Sequence, residues 1–265
     1  MEPDPYINFK AAQREGWALF APLETLTTPP AGVLVEFARI VRDEQVLDVA
    51  CGTGVVAVTA ARRGAQVRAL DLSPVLLEHA RHNATLAGVE IEFTEGDVEA
   101  LPYADNTFDV VTSQFGHMFG PRPAVTIAEM LRVLKTGGRI AFSTWPPEMF
   151  TGRMFNLISQ YLPPPPGVPA TTDWGDPQIV RERLGERVSD LRFERELMAT
   201  PALSPQHYRT TFEKTAAPIF KLVQILQNDL PRLARFRAEL DALIGLYLKD
   251  NVLRQHFLMT RAVKR

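Results

Sequence analysis

Two glycines and two nearby acids in the first half of the chain have the types and spacing of a nucleotide-ligand site. The run Gly52-Thr53-Gly54-Val55-Val56-Ala57 fits the pattern G-x-G-x-x-G/A, and Asp71 follows about 20 residues on. Glycines let a ligand approach the backbone, a helix start offers N–H groups, and the acid accepts hydrogen bonds from a ribose. The pattern therefore predicts a site for a ribose-containing ligand, with a dinucleotide as one candidate.

Asp48 distinguishes between the candidate ligands because it comes directly before the turn. A dinucleotide would bring its pyrophosphate close to this carboxylate, and the two like charges would repel each other. S-adenosylmethionine (SAM) instead carries an ammonium and a sulfonium, which a carboxylate attracts. The charge of Asp48 favours SAM over a nicotinamide cofactor.

Alternating strand and helix patterns position these residues. Short apolar runs predict strands at 45–50, 66–70, 90–94, 108–113 and 139–145, with helical patterns between them. Helical spacing also covers residues 33–41, and Ser73-Pro74 predicts the start of a helix that stops near Gly88. Such alternation indicates an α/β fold with a parallel sheet covered on both faces. After Trp145 the rhythm changes, with a further strand at 187–197, helices over 204–249 and a last strand at 256–263.

Composition excludes several other classes of protein. Of the 265 residues 46% are apolar and 23% charged, with a net charge of -2, so neither disorder nor a nucleic-acid partner is indicated. The single cysteine, Cys51, cannot form an intramolecular disulfide, and we interpret it as small and buried. No charge-free apolar stretch approaches the ~20 residues of a membrane span, and the acidic, proline-broken start is unlike a signal peptide. We expect a cytoplasmic monomer or homodimer.

The ordered motifs resemble those of the Rossmann-like (class I) SAM-dependent methyltransferases. Val46-Leu47-Asp48-Val49-Ala50-Cys51-Gly52-Thr53-Gly54 resembles the family's first motif and Ala69-Leu70-Asp71-Leu72-Ser73 its second. Residues 96–102, 108–111 and 131–138 resemble the third motif, the fourth strand and the run into the fifth. The likeness covers roughly residues 33–145 and is nearest to the ubiquinone- and menaquinone-biosynthesis group. Ala50 departs from the usual glycine, and we expect it to be tolerated if its backbone angle is negative. Thr136 departs from the usual proline.

The resemblance implies a role for each matching position. Asp48 and the turn of Ala50, Gly52, Thr53 and Gly54 would hold the methionine part of SAM, and Asp71 would bind the ribose hydroxyls. Leu72 would pack on the adenine, whose amine Asp97 would bind beside Val98. Ser113 or Gln114 would lie near the methionine end. The implied fold is a Rossmann-like three-layer sandwich with seven strands, mainly parallel, and an antiparallel last strand.

Methyl transfer from SAM needs positioning more than acid or base groups, because the sulfonium supplies the electrophile. The acceptor should meet the segments after the fourth and fifth strands, at the carboxyl edge of the sheet. His117 is the histidine placed there, so we consider it a candidate base. Apolar and aromatic residues would form the acceptor wall: Trp17, Phe20, Phe115, Met118, Phe119, Trp145 and Phe150.

The sequence therefore predicts one methyltransferase domain over 1–265 that methylates a small organic acceptor. Its cofactor-binding core would cover about 33–145, closed by strands at about 187–197 and 254–264. Lid segments would be about 1–32, 146–186 and 198–250. No metal is expected. Three alternatives stay open: another SAM-using reaction with Arg122 or Arg153 near the methyl position, a SAM-binding protein without turnover, and an NAD(P)-dependent oxidoreductase.

Overall fold

A computed structural model describes residues 5–265, which form alternating helices and strands followed by a helical region. The helices are α1 (Ile7–Trp17), α2 (Glu24–Phe37), α3 (Val55–Arg62), α4 (Pro74–Ala87), α5 (Pro123–Val133), α6 (Phe150–Tyr161), α7 (Pro177–Leu184), α8 (Pro205–Thr215), α9 (Ala217–Leu226) and α10 (Leu230–Gly245). The strands are β1 (Gln45–Val49), β2 (Gln66–Asp71), β3 (Ile91–Glu95), β4 (Phe108–Gln114), β5 (Leu134–Thr144), β6 (Val188–Pro201), β7 (Leu248–Lys249) and β8 (Val252–Lys264). No helix in this part of the chain is long and apolar enough to cross a bilayer.

The strands form one sheet in the order β3-β2-β1-β4-β5-β8-β6, with the short β7 paired to β8. Neighbours from β3 to β5 are parallel, and β8 runs antiparallel to both β5 and β6. The predicted α/β fold with an antiparallel last strand is confirmed. The sheet gains β7 because the chain folds back on β8 at Asp250 and Asn251, both with positive φ.

Strand order reverses beside β1, where β2 pairs on one side and β4 on the other. The crossovers on the two sides leave in opposite directions from this point, so a crevice opens at the carboxyl ends of β1 and β4. Residues Val46 to Val49 of β1 are buried on both faces of the sheet. The glycine turn, which follows β1 directly, is thereby fixed at the crevice.

Local signals explain where two of the helices begin and end. Ser73 caps α4 by accepting a hydrogen bond from the Leu76 amide, Pro74 opens the helix, and Gly88 ends it with φ +65°. The helix predicted at 33–41 is wrong at both ends: α2 begins at Glu24 and ends at Phe37. It runs through Pro29 and Pro30, and Arg39 then leaves the helix with φ +56°.

The helical region has a hydrophobic core of its own, apart from the core under the sheet. Side chains of α6, α8, α9 and α10 form it, together with Leu23 and Leu253. Phe236 and Leu240 of α10 are fully buried in this core. The helices therefore form a packed layer over the carboxyl edge of the sheet, and the candidate site lies between the two.

Candidate functional site

A cavity of about 200 Å³ lies between the carboxyl ends of the strands and the helices above them. Its lower side is formed by the turn after β1 and the ends of β2 and β3, including Asp48, Asp71 and Asp97. Its upper side is formed by apolar residues of α1, α6, α8 and α9 and of the segments after β4 and β5. The two sides of the cavity thus differ in chemistry.

The turn after β1 contains three residues in the left-handed region: Ala50 with φ +53°, Gly52 with φ +56° and Gly54 with φ +80°. The expectation of a negative angle at Ala50 is wrong, and the alanine is strained there. Ala50, Gly52 and Thr53 line the cavity, whereas Gly54 does not. A Cβ on Gly54 would lie 3.0 Å from the Ala80 Cβ, so this glycine lets α3 pack against α4.

Asp48 lines the cavity from beneath the turn with only 1% of its surface exposed. Its Oδ2 accepts a hydrogen bond from the Ala57 amide at 3.1 Å, and its Oδ1 accepts one from the Thr112 hydroxyl at 3.2 Å. Burial raises the pKa of Asp48 from 3.8 to about 7, because the two hydrogen bonds only partly offset desolvation. A cation at this position would lower that pKa again.

Asp71 lies at the end of β2 and holds the turn in place. Its Oδ2 accepts a hydrogen bond from the Gly52 amide at 2.7 Å and its Oδ1 accepts one from the Ser73 amide at 2.8 Å. Each carboxylate oxygen keeps a further acceptor position. Burial raises the pKa of Asp71 above its ordinary value.

Asp97, beyond β3, belongs to a charged cluster that its motif did not predict. The Lys10 ammonium lies 2.6 Å from Asp97 Oδ2 and 2.7 Å from Glu99 Oε2. The Arg122 guanidinium donates two hydrogen bonds to Glu99, at 2.9 and 2.7 Å. Lys10 lines the cavity beside Asp97, so the cluster ties helix α1 to the floor of the site.

Gln114 and Ser113 end β4, but only Gln114 lines the cavity. Its Nε2 donates to the Thr27 carbonyl at 2.8 Å, while its Oε1 is buried with no hydrogen-bond partner. A buried carbonyl oxygen without a donor is costly, so this atom suits a ligand N–H or O–H. Ser113 turns inward instead, where its Oγ accepts from the His117 amide.

His117 does not face the cavity, which corrects its placement as a candidate base. Its ring is fully buried, with centroids 4.6 Å from those of Phe142 and Trp174, and neither ring nitrogen has a hydrogen-bond partner. Burial lowers the pKa of His117 to about 3, and Arg183 adds to the effect. The imidazole is therefore neutral and packs in the core. A general base must reach the acceptor, and this ring does not face the cavity.

Most of the predicted aromatic wall lies at the cavity: Trp17, Phe20, Phe115, Phe119 and Trp145. Phe115 adopts φ +59° and stacks on Trp145 with centroids 4.0 Å apart. Phe150 was placed wrongly, because it is fully buried in the helical core against Tyr208.

Gly116 allows the chain to pass close to the turn. A Cβ there would lie 2.5 Å from the Ala50 Cβ and 2.6 Å from the Ala50 oxygen. Both strained residues, Ala50 and Phe115, thus lie at this contact.

Several cavity residues escaped sequence reasoning because they belong to the distant helices and to β6 and β8: Lys10, Thr151, Met154, Phe155, Met198, Phe212 and Gln255. Thr151 donates to the Gln255 Oε1 at 3.0 Å, while the Gln255 Nε2 donates to Thr200. Arg122 is paired with Glu99 and Arg153 lies beside Tyr247, and neither lines the cavity.

Comparison with known proteins places this site in a family. A family model described as a methyltransferase domain matches residues 46–138. The chain is 36% identical over 256 residues to the uncharacterized protein Rv1403c of Mycobacterium tuberculosis, covering 95% of this chain and 93% of that one. It is 36% identical over 153 residues to demethylmenaquinone methyltransferase of Deinococcus radiodurans, covering 56% of this chain and 58% of that enzyme. The crystal structure of YcgJ from Bacillus subtilis shares the fold, with a TM-score of 0.59, 18% identity and coverage of 89% and 97%.

The chain belongs to the class I SAM-dependent methyltransferases, as its motifs indicated. S-adenosylmethionine is its cofactor. The central parallel sheet and the crevice beside β1 are the parts of the structure that this family membership explains.

Proposed function

We propose that this enzyme binds SAM along the lower side of the cavity and methylates a small, largely apolar organic acceptor on the upper side. Asp71 would accept hydrogen bonds from the ribose hydroxyls, and Asp48 would lie beneath the methionine part. Leu72 and Val98 would pack on the adenine, with Asp97 next to its amine. The cavity contact of each residue supports its role.

The chemistry of the residues fits this cofactor. Two buried carboxylates, Asp48 and Asp71, suit a ligand that has cationic groups and hydroxyls. The Gln114 Oε1, buried and without a partner, would accept a hydrogen bond from the ammonium group or the acceptor. SAM supplies an activated methyl group on its sulfonium, and the protein's own part is to orient and desolvate the acceptor.

The observation that carries the proposal is the contrast between the two sides of the cavity. Among the described residues, the titratable cavity-lining side chains are Lys10, Asp48, Cys51, Asp71 and Asp97, all of them at or near the lower side. The acceptor side offers aromatic rings and the uncharged polar groups Gln13, Thr27, Gln114, Thr151 and Gln255. No group there is suited to remove a proton, and burial raises the pKa of the Cys51 thiol.

An acceptor without a base nearby must bring a nucleophile that is already reactive. Neutral amines, thiolates, phenolates and stabilised carbanions meet this requirement. The apolar surroundings would strip water from such a nucleophile, and the aromatic rings would hold it in line with the methyl group. Transfer would therefore depend on positioning.

The first test is calorimetric titration of the ligand-free protein with S-adenosylhomocysteine, with NADH as the control. We expect binding of S-adenosylhomocysteine alone. Binding of NADH alone would contradict the assignment of the lower side. Turnover is then measured with labelled SAM and a panel of amine, thiol and phenol acceptors.

Asp71→Ala is expected to give the largest loss of cofactor affinity. Two hydrogen bonds to a charged group are worth about 1.5–3 kcal/mol each, so affinity for S-adenosylhomocysteine should fall at least ~100-fold. Asp109→Ala is the matched control, because Asp109 also accepts a backbone hydrogen bond, from Gln45, but lies at the opposite edge of the sheet. Equal affinity in the two variants would argue against the role of Asp71.

A further inference from the structure

A second, larger cavity adjoins the first on its aromatic side. This side groove has a volume of about 830 Å³ and lies between α1, α6, α9 and residues 163–170. Trp17, Phe119 and Phe155 line both cavities. The centroid of the Phe119 ring lies 4.6 Å from that of Trp17 and 5.8 Å from that of Phe155, so these rings lie where the two cavities meet.

The two cavities differ in how much ligand they can hold. Ligand pockets usually measure about 300–1,000 Å³. The central cavity of about 200 Å³ has to take the cofactor as well as the reacting end of the acceptor. An acceptor much larger than its reactive group must therefore extend elsewhere, and the side groove adjoins the central cavity directly.

The lining of the side groove indicates what part of an acceptor it would take. Phe9, Leu19, Phe220 and a series of prolines provide an apolar surface. Glu15 and Lys221 are the charged residues in the described lining, and both are exposed. Uncharged polar side chains also line the groove: Gln13, Asn156, Ser159, Thr171, Thr172 and Gln224. The larger part of the surface is apolar and binds a hydrocarbon chain through burial of apolar area.

We propose that the acceptor is an amphipathic molecule whose reactive head enters the central cavity while an extended apolar tail lies in the side groove. The Trp17, Phe119 and Phe155 rings separate the two parts and direct the tail away from the cofactor. This inference rests on the proposed function, because the central cavity supplies the head site. It adds a tail site and a preference for chain length.

Chain-length dependence of binding tests the proposal. The probes are para-cresol, para-butylphenol and para-octylphenol, titrated by calorimetry into protein saturated with S-adenosylhomocysteine. We expect one molecule bound per chain and an affinity that rises about fourfold per added methylene, the equivalent of ~0.8 kcal/mol, until the groove is filled. Equal affinity of the three probes would overturn the tail site.

Ser159→Trp blocks the side groove with little risk to folding, because Ser159 lines the groove and is exposed. We expect this variant to lose the gain with chain length while it still binds para-cresol. Gln160→Trp is the matched control, since Gln160 is the exposed neighbour on α6 and lines neither cavity. The proposal would be contradicted if both variants lost the gain in affinity with chain length equally, or if neither variant lost it.

Two further measurements separate the possible failures. S-adenosylhomocysteine binding is measured first in every variant: its absence in the parent protein defeats the proposed function, whereas its presence with a flat chain-length series defeats only the tail site. Light scattering tests the other occupant of such a groove, a second copy of the chain. If the parent protein is a dimer, and Ser159→Trp dissociates it while Gln160→Trp does not, the tail site is also overturned.

Discussion

The two sides of the central cavity differ in the chemistry of their residues and in where those residues lie in the sequence. The lower side takes its polar groups from the carboxyl ends of β1 and β2 and from the turns that follow the strands, and backbone amides hold the buried carboxylates of Asp48 and Asp71. The upper side takes apolar side chains from helices far apart in the sequence, and in the described lining it holds no acid or base near the acceptor. One side is specified by local motifs and charge, the other by tertiary packing and shape.

Asp48→Asn tests the electrostatic character of the lower side and should have the largest effect in the set below. The pKa of about 7 in the folded protein exceeds the ordinary 3.8, so between these pH values the folded state keeps a proton that the unfolded chain has released. The contribution of Asp48 to stability is therefore full below pH 4 and falls as pH rises through 7, by about 4 kcal/mol at most. The variant should be more stable than the parent at pH 8 and bind S-adenosylhomocysteine at least ~10-fold more weakly.

Unfolding in denaturant between pH 4 and pH 8 checks this prediction, alongside calorimetry. Asp109→Asn provides a control of opposite sign, because Lys135 and the Gln45 amide lower the pKa of Asp109. That carboxylate stabilises the fold above its unfolded pKa, so its loss should destabilise the protein at neutral pH. Parallel pH profiles for Asp48→Asn and the parent would contradict the burial of a titrating carboxyl.

Lys10→Met tests the contact between the two sides. Loss of an ion-paired hydrogen bond to a charged group costs about 1.5–3 kcal/mol, because Asp97 loses the Lys10 ammonium while Glu99 keeps its bonds from Arg122. We also expect weaker cofactor binding, since Lys10 and Asp97 both line the cavity. Denaturant unfolding and titration with S-adenosylhomocysteine measure the two effects.

Lys135→Met is the matched control for this substitution. Its partner Asp109 lies 2.7 Å away, but the pair is partly exposed, and such pairs contribute about 0–1 kcal/mol. Lys10→Arg should restore part of the lost stability. A similar cost for Lys10→Met and Lys135→Met would show that α1 is not held by this cluster.

Ala50→Gly tests the strain in the turn. A left-handed angle costs an alanine about 1–2 kcal/mol, so glycine at φ +53° should raise the unfolding free energy by about 1 kcal/mol. Ala61→Gly on helix α3 is the control, and it should lower stability by about the same amount. Thermal unfolding measures both, and a loss of stability in each variant would contradict the left-handed turn.

His117→Phe should have the smallest effect of all. Phenylalanine keeps a planar aromatic ring at this position, and the fully buried imidazole makes no hydrogen bond that the substitution would break. We expect kcat within about twofold of the parent, whereas loss of a general base costs 10²–10⁴-fold. The rate is measured from pH 5 to pH 9 with an acceptor found in the panel. A large loss with a changed pH profile would return His117 to the active site.

Local sequence signals predicted the sheet and the lower side of the site well. Apolar runs located the strands, and Asp48, Asp71 and Asp97 all line the cavity because each lies near or just beyond the carboxyl end of a strand at the same edge. Gly54 was a partial exception, because this glycine allows α3 to pack closely on α4. The sequence could not predict the positive φ of Ala50, because this angle depends on the approach of Gly116 from the segment after β4.

The upper side of the site was harder to predict because aromatic residues pack in cores as readily as they line cavities. Trp17 and Phe119 reach the cavity, while Phe150 and His117 turn into separate cores. Their sequence neighbourhoods do not differ in any way that reveals this. The direction of each side chain is set by which helix covers it, and that is a long-range property.

The amino-acid sequence by itself determined the alternating fold, the cofactor motifs and the buried charges, because these follow from periodicity and from residues a few positions apart. Only the tertiary structure decided which aromatic side chains line the cavity, that Lys10 bridges Asp97 and Glu99, and that the side groove meets the central cavity. These features join residues from opposite ends of the chain, such as Lys10 and Gln255, and contacts at that range come from the packing of whole helices on the sheet.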